Sequence, residues 1–186
     1  MTESDEELVN LVQGGDQAAF GHLVERYGDK ITRYARRFLF GYEDAEDLVQ
    51  QVFIKAYINI QSFDIKKKFS PWLYRIAHNE FLNAIKRKRK EALPFFDPDT
   101  LFPHPAAAET TDHDVLKAEL KEALEASLDK LSAKYRETLV LYFYEDLTYD
   151  QIADVLQIPI ATVGVRLRRG KEKLRILYDQ IHPQYD

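Results

Sequence analysis

Four prolines interrupt this chain of 186 residues just past its midpoint, and neither a helix nor a strand ladder can run through them. They are Pro94, Pro98, Pro103 and Pro105. On both sides apolar residues recur at helical spacing, and the alternating pattern of strands is nearly absent. The sequence therefore predicts an all-α fold with two small helical domains, an N-terminal helical bundle over 1–90 and a C-terminal helix-turn-helix domain over 113–186. A flexible linker over 91–112 joins them.

The composition is that of a globular protein, with 45% apolar and 31% charged residues. The absence of cysteine excludes disulfides and thiolate zinc sites. The first residues are acidic, unlike a signal peptide, and no apolar run reaches membrane-spanning length, so we expect a cytoplasmic protein without membrane insertion. The five histidines lack metal-ligand spacing, and neither a phosphate-binding loop nor a nucleophile–base pair is evident. We therefore expect no metal, no cofactor and no enzymatic activity.

The net charge of −5 conceals a strong segregation of charge along the chain. Residues 65–90 contain nine lysines and arginines against one glutamate, a net charge of +8, and residues 157–175 contain six against one, a net charge of +5. Residues 91–130 contain ten acidic residues against three lysines, a net charge of −7. Two basic segments separated by an acidic one indicate two contacts with nucleic acid, because positive patches attract phosphates.

Residues 148–169 have the pattern of two short helices joined by a tight turn. Thr148 and Gln151 are spaced as a capping box, and Pro159 suits the first turn of the second helix. At about 100° per residue, one side of that helix holds Ile160, Val163, Leu167 and Leu174. The opposite side holds Thr162, Val165, Arg166, Arg169 and Lys173. Such a helix suits the DNA major groove. The alternative is a helical hairpin with a solvated basic face.

Residues 71–90 predict a second basic helix, with Ser70 as its N-cap and Pro71 as its first residue. Its apolar stripe comprises Leu73, Ala77, Phe81 and Ala84. Its other side holds Trp72, Arg75, Asn79, Asn83, Lys86 and Lys90, and the preceding loop holds Lys66, Lys67 and Lys68. Amides read base edges, cations meet phosphates and an indole stacks on a base, so this face predicts binding of nucleic acid, including single strands. Alternatively, Trp72 caps the edge of the core, where we also expect Phe63, Phe69 and Phe81.

These segments together resemble the bacterial RNA polymerase sigma factors of the extracytoplasmic-function (ECF) group, in the sigma-70 family. The segment Asp44–Phe53, DAEDLVQQVF, resembles the family's polymerase-binding helix. The segment Phe69–Asn79, FSPWLYRIAHN, is similar to the segment that serves promoter melting and recognition. The C-terminal motif resembles the helix-turn-helix that reads the upstream element. The resemblance covers nearly the whole chain outside the linker.

The resemblance implies a sigma factor that binds core RNA polymerase, recognises and melts the −10 element, and binds the −35 element as duplex. It assigns polymerase binding to Asp44, Glu46, Asp47, Leu48, Gln50 and Gln51. The basic face of the central helix and its three loop lysines would bind the melted −10 strand, and the C-terminal basic face would bind the −35 element. An anti-sigma protein is a common partner in the family.

The chain departs from the family pattern at several positions. Gln51 and Asn83 stand where acidic residues are common, and Gly164 and Val165 stand where polar or basic residues are frequent. Gln157 replaces the usual turn glycine, and a left-handed residue there would cost about 1 kcal/mol. These departures bear on which promoter sequence is read. The alternative function is a helix-turn-helix transcription regulator that is not a polymerase subunit, and it leaves the two N-terminal motifs unexplained.

Overall fold

The structure, a computed structural model, describes residues 3–39, 45–91 and 112–181, and it describes residues 88–91, 112–120 and 181 by their backbone only. These residues form eight α-helices and one 3₁₀ turn at Ile60–Ser62, without a strand among them, which confirms the predicted all-α fold. The helices are α1 (Asp5–Gln13), α2 (Ala18–Leu39), α3 (Ala45–Asn59), α4 (Phe69–Glu91), α5 (Asp112–Asp129), α6 (Ala133–Phe143), α7 (Tyr149–Leu156) and α8 (Ile160–Ile181). Most of the predicted linker, residues 92–111, lies outside the described residues.

Local sequence signals set several of these boundaries. The predicted capping box of α7 is present, since the Gln151 amide nitrogen donates to Thr148 Oγ1 at 3.3 Å and the Thr148 amide donates to Gln151 Oε1 at 2.8 Å. The predicted start of α4 is wrong by two residues, because the helix begins at Phe69 and Pro71 lies within its first turn. The amide of Phe69 donates to the Glu6 carboxylate at 3.1 Å, so a side chain from α1 supplies the cap expected from Ser70.

Helices α1–α4 form an N-terminal unit around the apolar faces of α2 and α4. Leu23, Ile31 and Phe38 of α2 and Leu73 and Phe81 of α4 are all completely buried. Helix α3 packs against both α2 and α4, and α1 closes one side by packing against the same two helices. The unit thus leaves one side of α3 and one side of α4 uncovered by its own helices, as their exposed side chains show.

Helices α5–α8 form a C-terminal unit in which α8 contacts α5, α6 and α7. Its core contains Val140 of α6, Ile152 and Val155 of α7, and Val163 and Leu167 of α8. Ile160, which we predicted on the same inward side, is exposed at the first position of α8, where it lines a cavity between α4 and α7. The turn between α7 and α8 passes through Gln157 at a φ of 53°, so the left-handed residue predicted there is present without glycine. The Gln157 side chain donates to the Asp154 carbonyl at 2.6 Å.

The two units contact each other directly. Helix α2 packs against α6 and α4 packs against α7, and the buried residues of both units form one continuous cluster. The division into domains over 1–90 and 113–186 therefore stays a prediction. The contact matters for function because α4 carries one of the predicted binding faces.

Candidate nucleic-acid and polymerase interface

The strand face of α4 consists of Trp72, Arg75, Asn79, Asn83 and Lys86, together with the loop lysines 66–68. Asn79, Asn83, Lys86 and the three lysines are exposed, whereas Trp72 and Arg75 are half-buried. Lys90 continues this face along the helix backbone, but its side chain lies outside the described residues. Helical spacing thus brings together the amides, cations and indole that the sequence predicted on one side.

Trp72 occupies a position between the core and this face. Its ring centroid lies 5.1 Å from that of Phe63 and 5.6 Å from that of Phe69, and both phenylalanines are buried. Phe81 is also buried, which confirms the expectation that the three phenylalanines belong to the core. The indole therefore packs on the edge of the core with one side and leaves part of its surface exposed. A base can stack on this exposed part while the indole stays packed on Phe63 and Phe69.

A cavity of about 670 Å³ separates the start of α4 from α7. Lys67, Lys68 and Trp72 line it from the N-terminal unit, and Asp150 and Asp154 line it from α7. Arg75 reaches across, with its Nη1 atom 3.8 Å from the Asp154 carboxylate. In this arrangement an acidic helix of the same chain therefore lies opposite part of the strand face.

The recognition face of α8 consists of Thr162, Val165, Arg166, Arg169 and Lys173. Val165, Arg169 and Lys173 are exposed, and Thr162 and Arg166 are half-buried, so all five lie on the side opposite the buried Val163 and Leu167. The neighbouring Arg168 points to another side, where its guanidinium lies 3.4 Å from the Glu172 carboxylate. The helix thus presents an apolar residue and three cations in a row, which is the geometry predicted for a major-groove helix.

The exposed side of α3 contains predicted polymerase-binding residues and is called the clamp face because it would contact the polymerase. It consists of Asp47, Gln50, Gln51, Ile54 and Ile58. Asp47, Gln50 and Gln51, three of the predicted polymerase-binding residues, are exposed, as is Glu46, which pairs with Arg36 at 3.4 Å. Asp44 lies outside the described residues. The side chain of Leu48 is buried in the core and not exposed on this surface, and its assignment to polymerase binding stays a prediction.

Sequence reasoning missed Ile54 and Ile58, which are 49% and 69% exposed. They lie about two and three helical turns beyond Asp47, which is one and two turns beyond Gln51, on the same side of α3. The signal that could have found them is this spacing of seven and eleven residues from Asp47, which places them on the acidic face rather than in the core. Exposed isoleucines in line with polar groups are typical of a protein–protein contact.

The contact between the two units centres on two buried carboxylates of the C-terminal unit. Glu145 accepts two hydrogen bonds from the Arg33 guanidinium, both at 3.0 Å, and one from the Tyr74 hydroxyl at 2.6 Å. Glu137 accepts one from the Tyr34 hydroxyl at 2.5 Å and lies 2.6 Å from His78 Nδ1. These bonds satisfy both carboxylates in a buried setting, so they fix the relative orientation of α2, α4 and α6.

The two tyrosines of this contact predict a loss of stability at alkaline pH. Burial, followed by the neighbouring carboxylate, raises the pKa of Tyr34 and of Tyr74 well above the ordinary value of 10.0. In the unfolded chain the hydroxyls ionise near pH 10, so their contribution is complete below that pH and is lost as the pH rises above it. We expect the free energy of unfolding to fall above pH 10, with a shallower slope in Tyr34→Phe.

Urea unfolding between pH 8 and pH 11 measures this slope. The control variant is Tyr57→Phe, whose ring lies on the exposed side of α3. Each tyrosine with a raised pKa lowers the free energy of unfolding by at most about 1.4 kcal/mol per pH unit above pH 10. Equal slopes for wild type and Tyr34→Phe would show that the Tyr34 hydroxyl is not held neutral by its surroundings.

Among the described residues, no group of three or more histidine or acidic side chains is arranged to hold a metal ion. His78 contacts Glu137 within the contact between the units. None of the helices in the described ranges is both long and apolar enough to cross a bilayer.

Comparison with known proteins relates both units to one family. The family model described as Sigma-70 region 2 matches residues 23–91, and that described as Sigma-70, region 4 matches residues 121–174. The ECF RNA polymerase sigma factor SigW of Bacillus subtilis is 38% identical over 175 residues, covering 90% of this chain and 92% of SigW. The RNA polymerase sigma-H factor of Pseudomonas aeruginosa is 34% identical over 181 residues, covering 92% of each chain.

Solved structures show the same arrangement of helices. CnrH in complex with the cytosolic domain of CnrY is 26% identical with a TM-score of 0.70, and the match covers 96% of this chain and 99% of the other. RpoE of Bartonella quintana, in complex with the anti-sigma factor NepR, is 24% identical with a TM-score of 0.68, covering 85% of this chain and 95% of the other. The second likeness concerns the fold alone.

Proposed function

The chain belongs to the ECF group of sigma-70 family RNA polymerase sigma factors, and from this membership we propose how its three exposed faces divide the work of promoter-specific initiation. The clamp face of α3 binds core RNA polymerase. The strand face of α4 captures the melted −10 strand, and the recognition face of α8 binds the −35 element as duplex. The observation that carries the proposal is that three chemically distinct faces are exposed on three helices of one small chain.

The clamp face suits a partner surface that is basic and partly apolar. Asp47 and Glu46 lie in the first turn of α3, where acidic side chains also favour the helix N-terminus. That electrostatic role explains the acids but not Ile54 and Ile58, whose exposure brings no benefit to the isolated fold. Burying both isoleucines against a partner would stabilise the complex by about 2–3 kcal/mol each before the cost of association.

The strand face suits a single strand better than a duplex. A half-buried indole offers one stacking surface for a base, the exposed carboxamides of Asn79 and Asn83 offer donors and acceptors for base edges, and the flanking lysines meet phosphates. Bases that are paired and stacked inside a duplex cannot also stack on an indole that is fixed at the edge of the protein core. Capture of an unstacked base therefore favours the melted state.

The recognition face supports reading of duplex through the major groove. Arg166 and Arg169 can contact guanine or phosphate, and the exposed methyl groups of Val165 can contact the methyl group of thymine. Gly164 faces α7 instead, because a Cβ there would lie 3.7 Å from the Tyr149 ring. We propose that Val165 gives the chain its own preference at the −35 element.

Binding of promoter DNA by both units requires them to separate. The melted strand would occupy the cavity between α4 and α7, where Asp150 and Asp154 would repel its phosphates and Asp154 already pairs with Arg75. We propose domains over 1–90 and 113–186 that move apart about the linker 91–112 when core polymerase takes up the chain. Polymerase then sets their spacing, and tethering makes the second DNA contact intramolecular.

We also propose that the chain acts in the cytoplasm, where promoter DNA and polymerase are present, and that an anti-sigma protein is a further partner. Similarity to CnrH, which was solved in complex with the cytosolic domain of CnrY, supports a protein partner besides polymerase.

Transcription in a purified system tests the function. Core RNA polymerase with this chain is expected to start transcription from members of a promoter library, and core polymerase alone is not. A helix-turn-helix regulator that is not a polymerase subunit would bind the same DNA but would neither co-purify with core polymerase nor support initiation. That result would replace the proposed function with the alternative.

The variant Ile58→Asp tests the clamp face. Because the side chain is 69% exposed, we expect the unfolding midpoint to be unchanged, whereas burying a charge against polymerase should weaken binding by about tenfold or more. Competition binding to core polymerase measures the effect. Ile65→Asp, an exposed isoleucine outside α3, is the matched control. Equal affinity for Ile58→Asp and Ile65→Asp would move the polymerase contact to another face.

A further inference from the structure

We propose that α1 belongs to the strand-binding machinery, with Gln13 and Glu6 as positioning residues for the lysine loop 64–68 and for Trp72. The inference rests on the proposed role of the strand face. Helix α1 precedes all three motif segments of the sequence, and none of its side chains lies on the strand face itself. Its effect is exerted through hydrogen bonds to the backbone on both sides of the loop.

Gln13, the last residue of α1, anchors the beginning of the loop. Its Nε2 atom donates to the Ile60 carbonyl at 2.7 Å and to the Phe63 carbonyl at 2.8 Å. These carbonyls lie at the start of the 3₁₀ turn and just beyond its end. The Ile60 carbonyl also accepts from the Phe63 amide at 3.1 Å within the turn, so the Gln13 amide group joins the turn and the residue after it to the end of α1.

The second acceptor of Gln13 belongs to the residue on which the indole packs. Phe63 is buried, and its ring lies 5.1 Å from that of Trp72. A shift of the Phe63 backbone would therefore move the ring on which the Trp72 indole packs. Through this contact, Gln13 sets the position of a side chain that it does not touch.

Glu6 anchors the end of the loop. One carboxylate oxygen accepts from the Phe69 amide at 3.1 Å, and the other lies 3.7 Å from Lys68 Nζ. The bond to Phe69 fixes the first residue of α4, and the ion pair directs the last loop lysine. The helix that carries Glu6 is itself fixed, because Asp5 accepts a hydrogen bond from the Tyr27 hydroxyl at 2.5 Å and also binds Arg26.

Both ends of the lysine loop are thus attached to one helix, while the side chains of its three lysines remain exposed. A loop with fixed ends loses less conformational entropy when it binds a strand than a free loop does. Helix α1 accordingly pre-organises the cations and the indole in the geometry that the strand meets. The hydrogen bonds act on strand capture and leave the clamp face and the recognition face untouched.

The test removes the donor from Gln13 while keeping its volume. In Gln13→Met and Gln13→Glu we expect strand opening by the holoenzyme, measured by permanganate reactivity of unpaired thymines, to fall by about five- to tenfold, since each hydrogen bond contributes about 1 kcal/mol. The dependence of opening on salt should become shallower, because fewer lysines meet phosphates. Affinity for core polymerase should stay within about twofold. The control is Gln17→Met, which replaces an exposed glutamine between α1 and α2.

The free chain provides a spectroscopic measurement that a general loss of stability would not mimic. Trp72 is the single tryptophan, so its emission in the folded protein reports its packing on Phe63. We expect a red shift in both Gln13 variants at temperatures well below their unfolding midpoints. Glu6→Ala should give the same losses, whereas Glu6→Gln, which keeps an acceptor for the Phe69 amide, should restore most of the opening.

Trp72→Ala, measured in the same assays, separates this inference from the function on which it rests. Opening that is lost in Trp72→Ala but normal in the Gln13 and Glu6 variants would overturn the role of α1 and leave the strand face in place. Opening that is normal in Trp72→Ala as well would overturn the strand face, and the role of α1 with it. Loss in all of these variants with a normal Gln17→Met control supports both.

Discussion

Replacing Arg166 and Arg169 together with alanine is expected to lower the affinity of the holoenzyme for promoter duplex by about 100-fold, while its assembly with core polymerase is unchanged. Each guanidinium that contacts a base edge or phosphate contributes about 1–3 kcal/mol, and two such losses on one helix face add up. Neither side chain belongs to the core of the C-terminal unit, whose inward side on α8 is formed by Val163 and Leu167. Competition binding with a labelled promoter fragment measures the change.

The matched control is Arg168→Ala. It removes the same charge from the same helix, but the Arg168 guanidinium lies beside Glu172 on another side of α8. We expect the affinity of Arg168→Ala for promoter duplex to stay within about threefold of the wild type. The small loss would come from the lower positive charge near the DNA, which weakens long-range attraction. If all three arginines mattered equally, α8 would act through charge alone rather than through a defined face. An accompanying loss of polymerase binding would show instead that the substitutions damage the fold.

Trp72→Ala is expected to reduce formation of the open complex by about tenfold to 100-fold, because base–aromatic stacking contributes about 1–3 kcal/mol. Affinity for core polymerase should change little, since the clamp face lies on α3. Trp72→Phe should retain much of the activity, because a smaller ring still offers a stacking surface and still packs on Phe63. Single-turnover opening followed by permanganate reactivity gives the rate and extent for each variant.

Part of the Trp72→Ala effect will come from the space left beside Phe63 and Phe69, so stability must be measured as well. Phe143→Ala, which removes an exposed ring from the C-terminal unit, is a control for general loss of aromatic surface. Unchanged opening in Trp72→Ala, despite a measurable fall in stability, would identify Trp72 as a core residue only.

The features that sequence predicted well are those set by near neighbours in the chain. The capping box at Thr148, the left-handed Gln157 and the helical fold of both halves depend on residues within one or two turns. The recognition face was predicted for the same reason, since the spacing of Val165, Arg166 and Arg169 fixes their side once α8 forms. Local rules were sufficient there.

Helix α3 shows where such rules fail. It is apolar on more than one side, so periodicity does not tell which isoleucines and leucines the neighbouring helices will cover. Leu48 is buried and Ile58 is exposed because α2 and α4 approach from particular directions, which only the tertiary packing determines. The start of α4 at Phe69 was missed for a related reason, since its capping group comes from Glu6 in another helix.

The contact between the units was the least predictable feature. Glu137 and Glu145 lie 59 to 112 residues from their partners in α2 and α4. The local pattern of neither segment predicts this pairing. Sequence reasoning treated the two halves as separate modules. The structure instead places α7 opposite the strand face, which the charge of α7 alone did not suggest.

The chemical nature of that contact has a consequence for the behaviour of the chain in solution. The side chains named across it are carboxylates, hydroxyls, an imidazole and a guanidinium, all of which water solvates readily once they are uncovered. Parting the units would replace these hydrogen bonds by hydration, but it would also divide the continuous apolar cluster that the two units share. The separated form would therefore expose apolar surface that tends to aggregate unless a partner covers it, which suits a protein that is taken up by a larger assembly.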